Sequence, residues 1–285
     1  PLRATINGRE SEFFAPLGSG VGGSSAFYAA TLERPERHDV DDHPNAEWPI
    51  GFDALQPWYT KAAAMFHVCG APDPLSPEPQ ATLATAPDLD ASDASLMQDM
   101  QSSGLHPYRL HSAIRYVDGC YGCLGSKCPK PCKMDGRSAG VEPALATGNA
   151  ALLDNAEVTS LQSNGHEITQ INILHDGVEH PLLAKRVILA GGAIGSPHLL
   201  LKSQSEHHPN GLANSSGLVG RNLMFHLNEM FALWPKSKQP GTEASKTISL
   251  RDLYHQMGQR FGTIQSMGIG AGYGEILHYL RLMLE

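Results

Sequence analysis

A chain of 285 residues, 41% of them hydrophobic, can bury a core and has room for two domains or one large one. Its net charge of −8, the lack of a basic stripe and an aromatic content of only 7% argue against nucleic acid as the main partner. No apolar run approaches the roughly 20 residues that span a membrane.

The chain begins on Pro1 in a polar stretch. It ends in an amphipathic pattern over residues 276–285 with no cap behind it. Both ends predict a piece of a longer protein. That leaves any targeting segment, and the choice between cytoplasm and periplasm, open.

The first informative segment is Gly18-Ser19-Gly20-Val21-Gly22-Gly23-Ser24-Ser25. Its serines predict N-caps for a helix over 26–32. A second helix is expected within 48–68, starting near Asp53. Residues 70–94, rich in Pro, Ala, Asp and Ser, read as an exposed linker. A short helix is expected over 94–103 and an extended segment over 107–117. Residues 118–135 carry four of the five cysteines.

A β-rich stretch follows. Strands over 157–161 and 168–174 flank Ser163-Asn164-Gly165, and His175-Asp176-Gly177 turns the chain into a third strand over 179–184. Residues 186–190 read as a short apolar strand inside a covered sheet. Ser196-Pro197 then predicts a helix start, with Ser as N-cap and Pro at the first helical position. Residues 206–224 are polar. Residues 226–234 and 245–270 read as the start of another sheet-containing region.

The second glycine-rich turn is Ala190-Gly191-Gly192-Ala193-Ile194-Gly195-Ser196-Pro197. Glycines admit positive φ and close approach of a ligand, and N–H groups at a helix end face an anion. Taken singly, each turn is more simply a connector. Two of them favour a large anionic cofactor. Gly18, Gly20 and Gly23 fit the Gly-x-Gly-x-x-Gly spacing, but no buried strand precedes them. That counts against a nicotinamide dinucleotide fold.

Cys120, Cys123, Cys128 and Cys132 are spaced C-x2-C-x4-C-x3-C. Four thiols within 13 residues can converge on one metal centre. On the residues alone three readings compete: iron–sulfur ligation, structural zinc and disulfides. Lys127, Lys130, Lys133 and Arg137 around them favour anionic sulfur, although each alone also suits a solvated loop. Cys69 stands apart as a packed or free thiol. A non-catalytic four-cysteine metal module with structural glycine turns is the rival from another class.

The glycine segments, taken with their neighbours, resemble the glucose–methanol–choline (GMC) oxidoreductases. Gly20 to Ser25 with Arg34-Pro35 resembles the family's first signature, and Ala190 to Leu201 its second. Trp48-Pro49-Ile50 with Asp53, Leu55 and Tyr59, and the stretch from Gly211 to Met224, resemble further family segments. Two departures are Tyr28, where the family commonly has Asn, and Gln204 after Ser203.

The resemblance implies a mixed α/β (α+β) fold: an FAD-binding sheet with helices and a β-meander, then the start of a substrate domain. The implied divisions are 1–60 (FAD-binding, first part), 61–145 (linker and cysteine-rich insert), 146–225 (FAD-binding, second part) and 226–285 (substrate domain). Gly20, Gly22, Gly23, Ser24 and Ser25 would lie near flavin and pyrophosphate. The Val158 backbone would meet adenine, and Gly191, Gly192, Ala193 and Ser196 would line the second turn.

The implied activity is hydride transfer from a CH–OH donor (an alcohol, polyol or sugar) to flavin. An iron–sulfur relay would pass electrons to an acceptor protein, a quinone or a cytochrome. The main dinucleotide loop and the histidine motif that supplies the base are expected outside this chain, so His226 receives no catalytic role. Little turnover is expected of the 285 residues alone.

Overall fold

The structure, a computed structural model, describes residues 2–6, 8–13, 17–42, 48–79, 82–120, 122–224, 226, 228–231, 233, 246–256, 260–268, 274, 277–278 and 281. The helix expected over 276–285 lies mostly outside them. The chain forms two compact units, Pro1–Ala150 with Pro235–Glu285, and Ala151–Trp234.

The first unit opens with a hairpin of β1 (Leu2–Ile6) and β2 (Arg9–Phe13). A short 3₁₀ turn, Gly23–Ala26, precedes the small α1 (Arg37–Val40). Helix α2 (Phe52–Met65) contains the expected Asp53 in its first turn, where a carboxylate suits the helix dipole, and it anchors through the buried Phe52. Helix α3 (Ala91–Ser102) begins three residues before the expected start, because Asp90 caps it by accepting the Asp93 N–H at 2.8 Å. β3 (Tyr108–Arg109) follows. A π-helical turn at Gly136–Val141 then leads into α4 (Glu142–Ala146).

In the second unit, β4 (Ala156–Ser163), β5 (Ile168–His175) and β6 (Val178–Leu182) form the expected antiparallel meander. The β5–β6 turn is the two-residue Asp176-Gly177, with φ of +48° and +80°. These are the left-handed positions that an Asp-Gly hairpin turn requires. Helix α5 (Gly192–Lys202) packs on β4, and the Ser203 hydroxyl accepts the Leu161 N–H at 2.9 Å.

The chain then returns to the first unit through β7 (Ile248–Leu250), α6 (Asp252–His255) and β8 (Ile264–Gln265), which complete the antiparallel sheet β3-β7-β8. The architecture is mixed α/β. The sheet expected within 245–270 is present as β7 and β8, while the described residues of 226–233 form no strand.

The core of the first unit gathers Ala30, Ala113, Ile114, Met134 and Ala139, with Tyr28, Leu32, Phe66 and Cys120 against them. It assembles around the extended segment expected over 107–117. Ala113 donates to the Ala30 carbonyl at 2.7 Å and accepts from the Met134 N–H at 2.9 Å, and Cys69 bridges Ser112.

Four local expectations are corrected. No helix spans 26–32. Ala30 has φ +57°, and the chain turns extended to pair with residues 111–113. Residues 70–94 are not a loose linker. Ala84 donates to the Val68 carbonyl and accepts the Gly70 N–H, and Asp73 is buried in an ionic cluster. Residues 186–190 form no strand, since none of the described residues pairs with them, and Ile188 stays 87% exposed. Helix α5 starts at Gly192 with Gly191 as its cap, so Ser196 and Pro197 lie inside it.

Candidate functional site

The first glycine turn is a closed loop. The Gly23 N–H returns to the Gly20 carbonyl at 2.9 Å, and Gly20, Gly22 and Gly23 have φ of +107°, +93° and +54°. A Cβ on Gly18 would collide with the backbone of Gly23 and Ser24. Open space borders Gly20 and Gly23, so the backbone there is accessible to a ligand.

The serines hold this turn rather than cap a helix. The Ser24 hydroxyl accepts the Gly18 N–H at 3.0 Å. The Ser25 hydroxyl donates to the Gly22 carbonyl at 2.5 Å and accepts the Gly136 N–H at 2.9 Å. Gly22, with left-handed φ, caps the 3₁₀ turn in their place. Their side chains are committed to shape, and the backbone amides are what the turn offers an anion.

The turn abuts a polar knot at Asp135. This fully buried carboxylate accepts N–H bonds from Arg137 (2.9 Å) and Ser138 (2.8 Å) through Oδ1, while Oδ2 is buried without a hydrogen-bond partner. A Cβ on Gly22 would lie 3.3 Å from Arg137. An orphaned carboxylate oxygen beside an open glycine turn fits a polar cofactor edge or ordered solvent.

The second turn lies in the other unit. Gly192 has φ +75°, and the Ser196 hydroxyl accepts the Gly191 N–H at 2.9 Å, again fixing the loop. Gly191, Gly192 and Ala193 are exposed at the start of α5, where helix amides lack internal acceptors. Val158, on β4, is 42% exposed.

The five cysteines are free thiols. Cys128 and Cys132 are buried, and Cys120 and Cys123 half-buried. Sulfur pairs Cys123–Cys128, Cys120–Cys132 and Cys128–Cys132 are close enough to hydrogen-bond. The loop coils through left-handed residues at Gly119, Gly122, Cys123 and Gly125. Burial raises the Cys128 thiol, but N–H groups of Lys133, Cys132 and Lys130 and the Cys123 thiol outweigh it, holding it below its ordinary value. Burial, with Cys120 and Cys128 beside it, pushes Cys132 up to about 12. Four sulfurs in a half-shielded loop, one of them ringed by amide donors, fit a thiolate-ligated centre.

Sequence reasoning missed one constellation. Buried Arg251 lies 3.2 Å from Glu36 and 3.5 Å from Asp73, and His255 Nε2 lies 2.8 Å from Asp73. Arg251 and Glu36 border a cavity of about 210 Å³ that also reaches Tyr59 and His111. Among the described residues, Glu36, Asp73 and His255 are the set whose donor atoms lie mutually within 4.8 Å. The guanidinium already supplies the positive charge that a metal would bring. No local pattern could reveal a pairing of residues 215 positions apart.

Residues 3–228 match the family described as GMC oxidoreductase. The chain is 28% identical to 2-methyl-1,2-propanediol dehydrogenase of Mycolicibacterium austroafricanum, over 90% of this chain and 51% of that protein. It is 28% identical to the fructose dehydrogenase large subunit of Gluconobacter japonicus, over 73% of this chain and 41% of that protein. It is 26% identical to paromamine 6'-oxidase of Streptomyces fradiae, over 74% and 41%. The chain thus spans about half the length, or less, of these relatives. With both glycine turns inside a match that covers most of its length, the chain belongs to the GMC oxidoreductase family.

Proposed function

We propose that this chain supplies part of the FAD cradle of an oxidoreductase acting on the CH–OH group of an alcohol, polyol or sugar. The observation that carries this reading is the family match across residues 3–228, which takes in both glycine turns. The names of the relatives, which include a diol dehydrogenase and a fructose dehydrogenase, support a hydroxyl-bearing substrate. When bound, FAD supplies the hydride acceptor.

The residues of this chain bind and orient. Amides of Gly20 and Gly22 face phosphate, with the Gly23 N–H closing the turn on the Gly20 carbonyl and Ser24 and Ser25 fixing it. Gly192 and Ala193 offer the second set of amides, beside Gly191, whose N–H is fixed by Ser196, and the Val158 backbone meets adenine. No residue here is assigned as the base.

Cys120, Cys123, Cys128 and Cys132 are proposed to hold an iron–sulfur cluster that passes electrons on to an acceptor protein, a quinone or a cytochrome. Thiolates on one zinc ion at about 2.3 Å would stand about 3.8 Å apart. No three of these sulfurs are mutually within 4.8 Å. The set is therefore not a preformed zinc site.

Anaerobic purification with a visible spectrum and assays for iron, sulfide and zinc tests both proposals. Flavin absorbance with iron and sulfide is expected. A colourless protein with stoichiometric zinc would instead support the four-cysteine module and overturn the reading.

A further inference from the structure

Lys133 is fully buried, and its ammonium donates to three carbonyl oxygens: Tyr28 at 3.2 Å, Cys123 at 2.9 Å and Ser126 at 2.5 Å. All three N–H donors are thereby spent. Two of the acceptors belong to the cysteine loop. The third is Tyr28, three residues beyond Ser25, whose ring also faces the ammonium at 5.9 Å. Tyr28 in turn donates its hydroxyl to the Met134 carbonyl, next to Lys133. One side chain therefore ties the cysteine loop to the segment that leaves the first glycine turn.

The hydrogen bonds are satisfied, but the carboxylate that balances the charge is shared. A buried cation needs a compensating anion. Among the described residues, no carboxylate forms an ion pair with Lys133. Asp135 is the nearest acidic influence, and its Oδ1 is engaged with Arg137 and Ser138. The other groups that would act on the ammonium as anions, once deprotonated, are Cys123 and Cys128. A neutral cysteine loop would leave the ammonium only Asp135, a carboxylate it shares with Arg137.

We propose that Lys133 is a positioning residue for an anionic, cysteine-ligated centre, compensating its charge and holding the loop against the flavin turn. This rests on the cluster reading above. A positive charge locked beside the sulfurs favours addition of an electron, so it raises the midpoint potential of the centre.

The test uses the anaerobically purified protein, its Lys133→Met variant, which keeps the length and loses the charge, and its Lys133→Arg variant, which keeps the charge. FAD, iron and sulfide are assayed, and the midpoint is read by redox titration followed by electron paramagnetic resonance. The expected result is wild-type FAD in the Met variant, with either a lower midpoint or a selective loss of iron, and the Arg variant closer to wild type. Wild-type iron and an unchanged midpoint in the Met variant would overturn the role of Lys133 alone. Joint loss of FAD and iron in both variants would also overturn it, since it marks a general folding role. An iron-free wild-type protein would instead overturn the cluster reading itself, and the proposal with it.

Discussion

Ser25→Ala tests whether the serines of the first turn build the cradle or merely line it. The hydroxyl holds the Gly22 carbonyl at 2.5 Å and receives the Gly136 N–H at 2.9 Å, joining the turn to a segment 111 residues away. An ordinary hydrogen bond contributes about 1 kcal/mol net, and a stranded buried donor costs about 1–3 kcal/mol. Gly22 and Gly136 are only half-buried, so water relieves part of the loss. The expected total is therefore about 2 kcal/mol. If the loss falls on the cofactor-bound geometry, it corresponds to about a 30-fold weaker FAD affinity.

The comparison is Ser24→Ala, which removes one exposed bond to Gly18 and is expected to cost about 0.5–1 kcal/mol. Urea midpoints and FAD titration by fluorescence quenching give both quantities. If Ser24→Ala costs as much as Ser25→Ala, or if Ser25→Ala falls within about 0.5 kcal/mol of wild type, the bridging role is refuted.

Gly18→Ala places a Cβ against the Gly23 and Ser24 backbone, so the turn must open. FAD retention after gel filtration is expected to fall further than in Ser25→Ala. Arg251→Met strands Glu36 and Asp73 in a buried site, an expected loss of about 3–5 kcal/mol by urea denaturation. A loss below about 1 kcal/mol would show that water reaches the carboxylates. Burial lowers the His111 imidazole, but Glu33 at 2.9 Å and the Ala71 carbonyl outweigh it and raise it above its ordinary value of about 6.5. Its contribution is fully present below about pH 6.5 and lost as pH rises through the folded value. The urea midpoint of wild type should therefore drop between pH 6 and pH 9, and Glu33→Gln should flatten that step.

Legibility in the sequence followed how local each cause is. The meander was readable because Ser163-Asn164-Gly165 and Asp176-Gly177 specify its two turns. Helix α2 was readable from Asp53, which lies in its first turn. The serine caps misled because Ser24 and Ser25 answer to Gly18, Gly22 and Gly136 rather than to a following helix. Pro197 misled because the left-handed Gly192 lets α5 begin five residues earlier. The strand over 186–190 fails for want of a partner among the described residues, which no local pattern encodes. The Glu36–Asp73–Arg251 cluster and the reach of Lys133 are products of tertiary folding alone.

The first glycine turn and the cysteine loop share one scaffold. Three bonds join them: Ser25 to Gly136, Tyr28 to Met134 and Lys133 to Tyr28. Met134 is also a core residue, and its N–H pairs with Ala113, which pairs with Ala30 just beyond the turn. A shift of the turn cannot occur without disturbing the segment that carries Cys132, because residues 132–134 are pinned on both sides. Close packing makes such a joint bistable or rigid rather than freely deformable. The relay proposed above would use this shared scaffold to hold its two centres at a fixed separation.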